Sequence, residues 1–473
     1  MKEEFKIAWR NLWRNKRRTL ITSASVFFAV FFAVIMRSYQ LGSYDHMINN
    51  FIESFTGYLQ IQHAKYQDNP FIDNSFDYND PFALTILNAD KVVSVTPHLE
   101  SFTLASSGTQ TKGVAIVAID PVKEKNFSDP ESKLVKYRIT DEAVKRMKDT
   151  GRFPDVVMDK VVRNLGRSYT SSGRLELELG LASEDNIRYM PEILSCSGVS
   201  NGYLANDDQG ILVSDRLAGY LKVAAGDSVI LMGQGYHGVS ANGIFPVRGI
   251  IKMPSPEIDN KLIIMTLPSA QEFFDAEGKI TSLVVNLTDK SNRTIKTAKS
   301  NISSLLPDSN TTVRTWYELN PILYQQIQGD SQTGIAMLGL LYLIIFFGIF
   351  GTVLMMVSER KREFGVLVAI GMQKRKLKRI ITLEMMLLGA IGLVCGLLAS
   401  VPLILYFYFY PIVLKGDLAT MMEDWGWEAV MPTAWFGPYF YWQAVIVAFM
   451  ILLTMIYPIR KIGQLKEMEA LKG

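Results

Sequence analysis

The sequence has few of the side chains on which enzymes depend for metal binding and nucleophilic catalysis. It contains two cysteines and four histidines in 473 residues. The histidines are scattered, and none lies in an H-E-x-x-H motif or near a second ligand at metal-binding spacing. There is also no G-x-x-x-x-G-K-[ST] motif, so nucleotide binding through a P-loop is excluded. We therefore predict no catalytic residue, no metal and no cofactor for this chain, which is interpreted as a non-enzyme.

The two cysteines and the only nucleophile motif add no catalytic site. Cys395 lies within an apolar run and Cys196 within a long polar segment, so we expect no disulfide between them. Residues 198–202 match G-x-S-x-G, but a nucleophile elbow needs a strand before it and a helix after it. A proline precedes the motif and a loop-like stretch follows it. The pattern favours a surface turn over a membrane-anchored hydrolase that uses Ser200.

What the sequence does contain is long apolar runs. Apolar residues make up 48% of the chain. A bilayer is crossed by about 20 apolar residues, and four runs reach that length: Thr19–Leu41, Ile335–Val357, Ile380–Tyr410 and Pro438–Ile459. The first run is longer than the apolar region of a signal peptide, and no small-x-small cleavage site follows it, so we interpret it as an uncleaved anchor.

Charge is distributed unevenly around these runs. Segments 2–18, 358–379 and 460–472 carry 19 basic and six acidic residues, a net charge of +13, although the whole chain carries only +3. Segments rich in Lys and Arg stay in the cytoplasm. We therefore predict that both termini and the 358–379 loop are cytoplasmic, and that residues 42–334 and the 411–437 loop lie outside.

The outer segment 42–334 is predicted to fold as a mixed α+β domain. Runs with strand-like alternation are Tyr58–His63, Val92–Thr96, Gly113–Ile119, Arg174–Leu179, Asp227–Met232, Leu262–Thr266 and Ser282–Leu287. Helix-like runs are Asp141–Lys148, Ser214–Leu221, Ser269–Asp275 and Thr294–Leu306. The polar stretch near 121–250 is interpreted as an inserted subdomain. Residues 42–56 and 316–334 are expected to form helical stalks, or else ordinary core helices of this domain.

The predicted fold class is a membrane protein with four transmembrane α-helices and a large α+β extracytoplasmic domain between the first two.

The N-terminal segment 1–18 is predicted to be an amphipathic interfacial helix. Its apolar face combines the four residues Phe5, Trp9, Leu12 and Trp13. Lys6, Arg10 and Arg14 lie on the opposite face. This pattern is typical of a helix that lies in the plane of the membrane interface. A solvated basic tail is the less favoured alternative, because two tryptophans would then be left in water.

The segment Ser358–Met372 is predicted to be a short cytoplasmic helix at the membrane surface. Its charged face is formed by Glu359, Arg360, Arg362 and Glu363. Its apolar face is formed by Phe364, Val366, Leu367, Ala369 and Ile370. Such a helix can receive a push from a soluble partner and pass it to the spans on either side. Glu384, in the third run, is expected near Lys378 and Arg379, and Arg37 is expected to reach the outer interface.

Nearly the whole chain resembles the permeases of MacB/FtsX-type ABC transporters, which include the lipoprotein-releasing permeases. Three stretches are similar to that family's amphipathic start, its R-x-x-E-x-G-x-L-x-A-x-G segment and its closing tail: Ala8–Leu20, Glu359–Gly371 and Tyr457–Leu471. Gly210–Leu231 and Val247–Phe273 are similar to parts of its outer domain. The short stretch 57–63 is most similar to the lipoprotein-releasing branch.

The resemblance implies a dimer of permeases that works with a cytoplasmic ABC ATPase dimer, which would bind ATP and Mg²⁺. No ATPase is fused before the first span here, so that partner is expected to be a separate polypeptide. The residues that the resemblance assigns to ATPase coupling are Glu359, Arg360, Arg362, Glu363, Gly365, Leu367, Ala369 and Gly371. The implied mechanism is mechanical, because closure of the ATPases would move this helix and, through the spans, the outer domain. The implied location is the bacterial inner membrane, with the large domain in the periplasm.

The cargo and the second permease are left open by the sequence. An outer-side lipoprotein, carrier or adaptor protein is expected, together with membrane lipid and without nucleic acid. A possible hydrophobic substrate or dimer face is formed by Phe27, Phe28, Phe31 and Phe32, for which plain lipid contact is an equal alternative. A different class of function is an FtsX-like signalling subunit that activates an outer-side cell-wall hydrolase. Homodimer and heterodimer are both compatible with the sequence.

Overall fold

The structure is a computed structural model, and it describes residues 2–14, 16–52, 56–306, 310–414, 417–424 and 429–464. Its α-helices are, in chain order, α1 (Lys2–Arg14), α2 (Lys16–Phe51), α3 (Asp80–Leu87), α4 (Pro121–Glu124), α5 (Asp141–Asp149), α6 (Asp155–Arg163), α7 (Ser172–Leu179), α8 (Ser183–Ser197), α9 (Asp215–Leu221), α10 (Pro256–Asp259), α11 (Leu267–Phe273), α12 (Asn292–Ser303), α13 (Trp316–Leu319), α14 (Pro321–Glu359), α15 (Lys361–Ala369), α16 (Lys374–Phe409), α17 (Asp417–Asp424), α18 (Pro438–Thr454) and α19 (Ile456–Gly463).

The β-strands are β1 (Leu59–His63), β2 (Phe76–Asp77), β3 (Val92–Ser107), β4 (Gln110–Ile119), β5 (Tyr137–Arg138), β6 (Ser168–Tyr169), β7 (Ile211–Ser214), β8 (Ser228–Gln234), β9 (Ser240–Ile251), β10 (Leu262–Thr266), β11 (Lys279–Ile280), β12 (Ser282–Leu287), β13 (Thr311–Thr315), β14 (Ile412–Val413) and β15 (Val430–Met431). Short 3₁₀ turns lie at Ile72–Asn74 and Tyr236–Gly238.

The chain divides into two compact units. The helical unit comprises Met1–His46, Ile322–Gly416 and Ala429–Gly473. The sheet unit comprises Met47–Pro321 and Asp417–Glu428. Most of the sequence between the first and second apolar runs therefore forms the sheet unit, and the apolar runs themselves belong to the helical unit.

Within the described residues, four helical stretches have the length and composition to cross a membrane. They are Thr19–Asn49, Pro321–Glu359, Lys374–Phe409 and Pro438–Gly463. Together with the α/β domain that lies between the first two in sequence, they confirm the predicted fold class. α2 and α14 extend beyond the expected apolar runs, α16 begins six residues earlier than expected, and the fourth run is divided between α18 and α19. α2 extends to Phe51, whereas the second expected stalk is interrupted, since α13 ends at Leu319 and α14 starts at Pro321.

The helical unit packs around a core to which each candidate span contributes aliphatic side chains. These include Val30 of α2, Val353 of α14, Leu388 of α16 and Val447 of α18. Because the membrane offers no hydrophobic driving force between helices, close packing has to supply the cohesion.

In the sheet unit, nine strands among the described residues pair in the order β13-β1-β12-β3-β4-β10-β7-β9-β8. The long strand β3 changes partner along its length. Its first part pairs with β12, as at His98↔Ser282, and its last part pairs with β8, as at Thr103↔Gly233. Because β8 returns to β3, the strands from β3 through β4, β10, β7, β9 and β8 close into a barrel.

The helices α5 to α8 form a second core in the sheet unit. It is built from Ile139, Met147, Val161, Leu175 and Ile193, among others. The separate core is therefore smaller than the predicted insertion at 121–250. The strands β7, β8 and β9 occupy the second half of that stretch and belong to the barrel, where they bury apolar residues such as Leu212, Leu231 and Val247.

One predicted strand is wrong. Arg174–Leu179 alternates apolar and polar residues as a strand would, but it belongs to helix α7. The side chain of Ser171 caps the first turn of this helix, and Gly180 ends it with φ 54°, a left-handed conformation that favours glycine. Leu175 and Leu179, four residues apart, are buried on one helical face, so packing against the neighbouring helices decides the outcome.

Candidate functional site

The segment between the second and third spans forms a separate short helix. α14 ends at Glu359, Arg360 leaves the helical conformation with φ −96° and ψ 5°, and α15 begins at Lys361. After α15 the chain turns at Gly371, whose φ of +102° is rarely adopted by residues with a side chain. α16 starts at Lys374. A helix break on one side and a glycine turn on the other thus separate α15 from both spans.

Only a narrow stripe of α15 faces the protein. Phe364 and Gly365 are buried, and Phe364 packs in the core of the helical unit with Leu377 and Ile462. The apolar side chains of Val366, Leu367 and Ile370 are exposed, and Ile370 is 80% exposed. Of the predicted apolar face, the structure buries Phe364 and leaves Val366, Leu367, Ala369 and Ile370 exposed. The exposed surface of α15 is therefore both charged and apolar, as protein-binding surfaces commonly are.

Arg360 is not on the charged outer face where the sequence placed it. It is 8% exposed, and its guanidinium donates to both carboxylate oxygens of Glu384 in α16 at 2.8 Å. Its Nε also donates to Glu363 at 3.1 Å, and the guanidinium lies 5.2 Å from the centre of the Phe364 ring. The sequence placed Glu384 near Lys378 and Arg379, and the structure adds Arg360 as its buried partner.

The coupling residues predicted from the sequence divide into two groups. Those that the structure leaves exposed are Glu359, Arg362, Glu363, Leu367, Ala369 and Gly371. Arg360 and Gly365 are buried, so they cannot contact a soluble partner directly. Sequence reasoning missed Glu384 as the partner of Arg360. A carboxylate inside a span is a signal in itself, because such a group is expected to pair with a cation.

The N-terminal helix α1 carries a buried stripe of side chains beside an exposed aromatic stripe. Glu4, Ala8 and Leu12 are buried. Phe5, Trp9 and Trp13 are 47%, 42% and 57% exposed. Leu12 is therefore a correction to the predicted membrane anchor, since it belongs to the protein core with Phe364 and Leu377. The exposed aromatic stripe keeps the character of an interfacial surface.

Two ion pairs connect α1 to the segment around α15. Glu4 lies 3.8 Å from Arg379 in α16. Arg14, at the end of α1, lies 3.4 Å from Glu363 in α15. The second pair is exposed on both sides, so its contribution to stability is small. It nevertheless extends the charged contacts of Arg360 and Glu363 to a third helix.

The phenylalanines of α2 form a ladder on the helix surface. The rings of Phe27 and Phe31 stack at 5.6 Å, and those of Phe28 and Phe32 at 5.9 Å. Phe28 and Phe32 are 52% and 53% exposed, whereas Phe27 and Phe31 are half-buried. The exposed pair of rings is open to lipid, to a substrate or to a second permease.

A polar network joins α2 to α14 at the other end of the spans. The hydroxyl of Tyr44 donates to the carboxylate of Asp330, and the Gln40 amide donates to the Asp330 carbonyl at 3.2 Å. Arg37, which was expected to reach the interface freely, donates to the side-chain oxygen of Gln40. Gly334 makes room for this network, since a Cβ there would collide with the Gln40 amide.

Asp259 and the pair of His98 with Glu124 are buried ionisable groups of the sheet unit. Asp259 accepts hydrogen bonds from the backbone amides of Met253 at 2.8 Å and Arg216 at 3.1 Å, and burial raises the pKa of Asp259 to about 6. His98 lies 2.9 Å from Glu124. Burial disfavours a charge on His98, but the Glu124 carboxylate outweighs this effect and raises the pKa of the imidazole. Over the described ranges, no three His, Cys, Asp or Glu side chains are grouped to hold a metal ion.

Parts of this chain are similar in sequence to known permeases. Residues 335–466 match the model for the C-terminal region of FtsX-like permeases. A stretch of 160 residues is 22% identical to the lipoprotein-releasing system transmembrane protein LolC of Neisseria meningitidis serogroup B, and it covers 33% of this chain and 37% of that relative's length. The match to the permease model includes the whole of α15 and α16, the elements that hold the Arg360–Glu384 pair.

Two solved structures are similar to larger parts of the chain at low identity. The extracellular domain of the noncanonic ABC-type transporter YknZ from Gram-positive bacteria covers 54% of this chain, with 12% identity and a TM-score of 0.28; the match includes 99% of that chain. The periplasmic region of MacB from Actinobacillus actinomycetemcomitans covers 59%, with 13% identity and a TM-score of 0.30; the match includes 95% of that chain.

Proposed function

We propose that this chain converts the ATP hydrolysis of a partner protein into mechanical work. The premise is that the chain is an ABC-transporter permease of the MacB/FtsX type related to LolC. A separate cytoplasmic ABC ATPase dimer would bind ATP and Mg²⁺ and push on α15. The spans would carry this motion to the sheet unit, which would extract or export lipoproteins or other hydrophobic substrates at the outer face of the bacterial inner membrane. A second permease subunit would complete the assembly.

The observation that carries this proposal is the exposed surface of α15. A helix of nine residues between two spans keeps Phe364 in the protein core and leaves Leu367 and Ile370 in the open. Exposed apolar side chains beside charged ones are typical of surfaces that bind another protein. Since this helix is attached to the second and third spans by its two ends, a partner bound there can displace both.

The charge distribution supports the proposed orientation. The basic segments 2–18 and 358–379 contain α1 and α15. Such segments stay on the cytoplasmic side of a bilayer. The sheet unit would then lie on the outer side. A cytoplasmic ATPase therefore has access to α15, and an outer-side cargo has access to the sheet unit.

The relation to LolC supports a lipoprotein as the cargo over the signalling alternative. That relative is a transmembrane protein of a lipoprotein-releasing system. The exposed rings of Phe28 and Phe32 in α2 provide an apolar surface against which acyl chains could pack. Inside a bilayer the binding of an acyl chain removes no surface from water, so close packing against these rings would have to hold a lipid anchor.

The docking surface is tested by a pair of matched variants in the full-length chain. Ile370 of α15 is 80% exposed, and Ile187 of the sheet unit is 81% exposed. With its ABC ATPase co-expressed, Ile370→Glu should reduce the ATPase that co-purifies with the permease at least tenfold, whereas Ile187→Glu should leave it unchanged. Full ATPase recovery with Ile370→Glu would show that α15 is not the docking helix.

The cargo is tested by photo-crosslinking from α2. A photoreactive phenylalanine analogue at Phe32 should capture an acylated protein in living cells, and the same analogue at Phe364, which is 2% exposed, serves as the control. Capture of only lipid or of a second permease at Phe32 would reject the substrate face. Capture of a cell-wall hydrolase by the sheet unit, without an acylated protein, would favour the signalling alternative.

A further inference from the structure

Arg360 stands at the point where the second span ends and the coupling helix α15 begins. Its backbone breaks the helix, while its side chain reaches both oxygens of Glu384 at 2.8 Å and one oxygen of Glu363 at 3.1 Å. One guanidinium therefore connects the helix break, the third span and α15. Nη1 donates to both oxygens of Glu384, while Nε donates to Glu363. Because these two nitrogens belong to one rigid plane, the guanidinium fixes the direction of one carboxylate relative to the other.

The two carboxylates bound by Arg360 differ in exposure. The side chain of Glu384 is 2% exposed, and that of Glu363 is 51% exposed. Glu363 also lies 3.4 Å from Arg14 of α1. Exposed charge pairs exchange readily with water, whereas a buried pair is shielded from water and held more strongly. When α15 is displaced, its contacts through Glu363 are therefore the ones that change, and the Arg360–Glu384 pair persists.

We propose that Arg360 is a positioning residue whose pair with Glu384 is the fixed pivot on which α15 turns. The pivot holds the end of α14 against α16, so a displacement of α15 moves both spans together instead of unwinding the connection between them. This inference rests on the proposed function. It also changes the role of Arg360, which the sequence had placed on the ATPase-binding surface.

The proposal depends on the charges and hydrogen bonds of the Arg360–Glu384 pair, and side chains of the same volume would not be enough. A buried ion pair is often replaced by apolar side chains of similar size without loss of the fold. Such a replacement would keep the core around Phe364 packed, but it would remove the two fixed hydrogen bonds between the helix break and α16. A lysine at position 360 would keep the charge, but it would lack the rigid plane whose Nη1 and Nε bind Glu384 and Glu363 at the same time.

The test uses the full-length permease with its ABC ATPase in lipid nanodiscs. Spin labels are placed at Ile322, near the start of α14, and Tyr410, just after α16, which are 80% and 66% exposed. The native cysteines Cys196 and Cys395 are replaced. Pulsed electron resonance then measures whether ATP changes the distance between the two labels. The main variant is Arg360→Met with Glu384→Leu, and the control is Arg375→Met, which removes an exposed cation from the first turn of α16.

The apolar double variant is expected to bind the ATPase, to hydrolyse ATP and to melt within a few degrees of the parent protein. Its ATP-dependent change in the label distance should be lost, while Arg375→Met keeps the full change. Arg360→Lys should retain only part of it, since a flexible ammonium replaces the planar group that binds Glu384 and Glu363 together. Exchange of the pair, Arg360→Glu with Glu384→Arg, should restore more of the change than either single variant.

A full distance change in the apolar double variant would show that the pair only fills space, and it would overturn the pivot while leaving the proposed function intact. A parent protein with bound ATPase but no ATP-dependent distance change would overturn both. If the apolar double variant fails to fold, the comparison of Arg360→Lys with Arg375→Met still decides, because equal changes in these two would contradict the proposal.

Discussion

Gly392 of α16 lies directly against the backbone carbonyl oxygen of Ser23 in α2, so that a methyl carbon added at Gly392 would be only 2.6 Å from that oxygen. One turn further along, a carbon added at Gly396 would be 2.9 Å from the carbonyl of Phe27. The Ser23 hydroxyl also donates to the carbonyl of Leu388 at 3.1 Å. The first and third spans therefore touch backbone to backbone, as small residues allow in membrane helices.

Replacement of Gly392 should separate these two spans. Gly392→Leu introduces a side chain where no space exists, and overpacking of this kind costs about 1–3 kcal/mol. The expected result is a lower melting temperature of the purified chain in detergent. Gly351→Leu is the control, because no atom outside its own helix lies within 4 Å of a carbon added there. Equal melting temperatures for the two variants would contradict the close packing.

Gly371→Trp should uncouple α15 from the spans without unfolding the sheet unit. The φ of +102° at this turn is unfavourable for residues with a side chain, and a left-handed conformation costs such residues roughly 1–2 kcal/mol. We expect the chain between α15 and α16 to change path, so that ATP hydrolysis continues without the ATP-dependent change in the sheet unit. Hydrogen exchange in both units provides the measurement. Gly348→Trp in α14, where the surrounding space is open, should leave the coupling intact.

Glu363→Lys should have a similar effect for an electrostatic reason. The new cation would lie beside Arg360 and Arg14, which are now 3.1 Å and 3.4 Å from the carboxylate. Repulsion should move α15 away from the end of α1, and ATP hydrolysis per unit of outer-side output should rise severalfold. Glu277→Lys, an exposed residue of the sheet unit, makes the same charge change and should be neutral. Unchanged output per ATP in Glu363→Lys would remove Glu363 from the coupling region.

The stripes of α1 predict different consequences for two neighbouring residues. Leu12→Ala removes a buried side chain from the core, which costs about 2–5 kcal/mol of stability. Trp13→Ala removes a side chain that is 57% exposed, so we expect the melting temperature in detergent to stay constant. In lipid nanodiscs, however, the amides of α1 should exchange faster in Trp13→Ala, because an interfacial aromatic anchor has been lost. Equal exchange would mean that this stripe does not contact lipid.

The stability of the sheet unit should depend on Asp259 at mildly acidic pH. Burial raises the pKa of Asp259 to about 6 from the ordinary value of 3.8, so the folded protein binds a proton more tightly than the unfolded chain does. This group therefore destabilises the fold above pH 6, and stability should increase as the pH falls from 6 towards 4, by about 1 kcal/mol per pH unit.

Hydrogen exchange of the amides around Met253 reports this pH effect in the full-length chain. In Asp259→Asn, the gain in protection between pH 6 and 4 should disappear, whereas the exposed Asp207→Asn should retain it. The same pH profile in Asp259→Asn and the parent protein would assign the effect to another group.

The spans and α15 could be predicted from the sequence because their signals are local. A run of apolar residues, an excess of lysine and arginine, and a glycine at the end of a helix each identify an element without its partners. The helix α7 shows the limit of such reasoning. Its alternating Arg174–Leu179 sequence matches a strand, but the Ser171 cap, the Gly180 turn and contacts with the neighbouring helices favour the helical form.

The position of Arg360 illustrates a second limit. Helical periodicity over Ser358–Met372 predicts that Arg360 lies on the charged face of one helix. The structure breaks the helix at this residue, which turns the side chain towards Glu384, a partner 24 positions further along the chain. The closure of the barrel through β3 and β8 is likewise a pairing between distant segments, which no local pattern encodes.

The long strand β3 has a mechanical consequence for the sheet unit. Between His98, which pairs with β12, and Thr103, which pairs with β8, the strand passes from one partner to the other, while β4 runs beside it from His98 to Ser107 without interruption. The barrel and the strands β12, β1 and β13 thus belong to one continuous sheet. A pull along β3 would load its hydrogen bonds to the neighbouring strands in shear, so that many bonds share the force. They would not break one after another from the end of the strand.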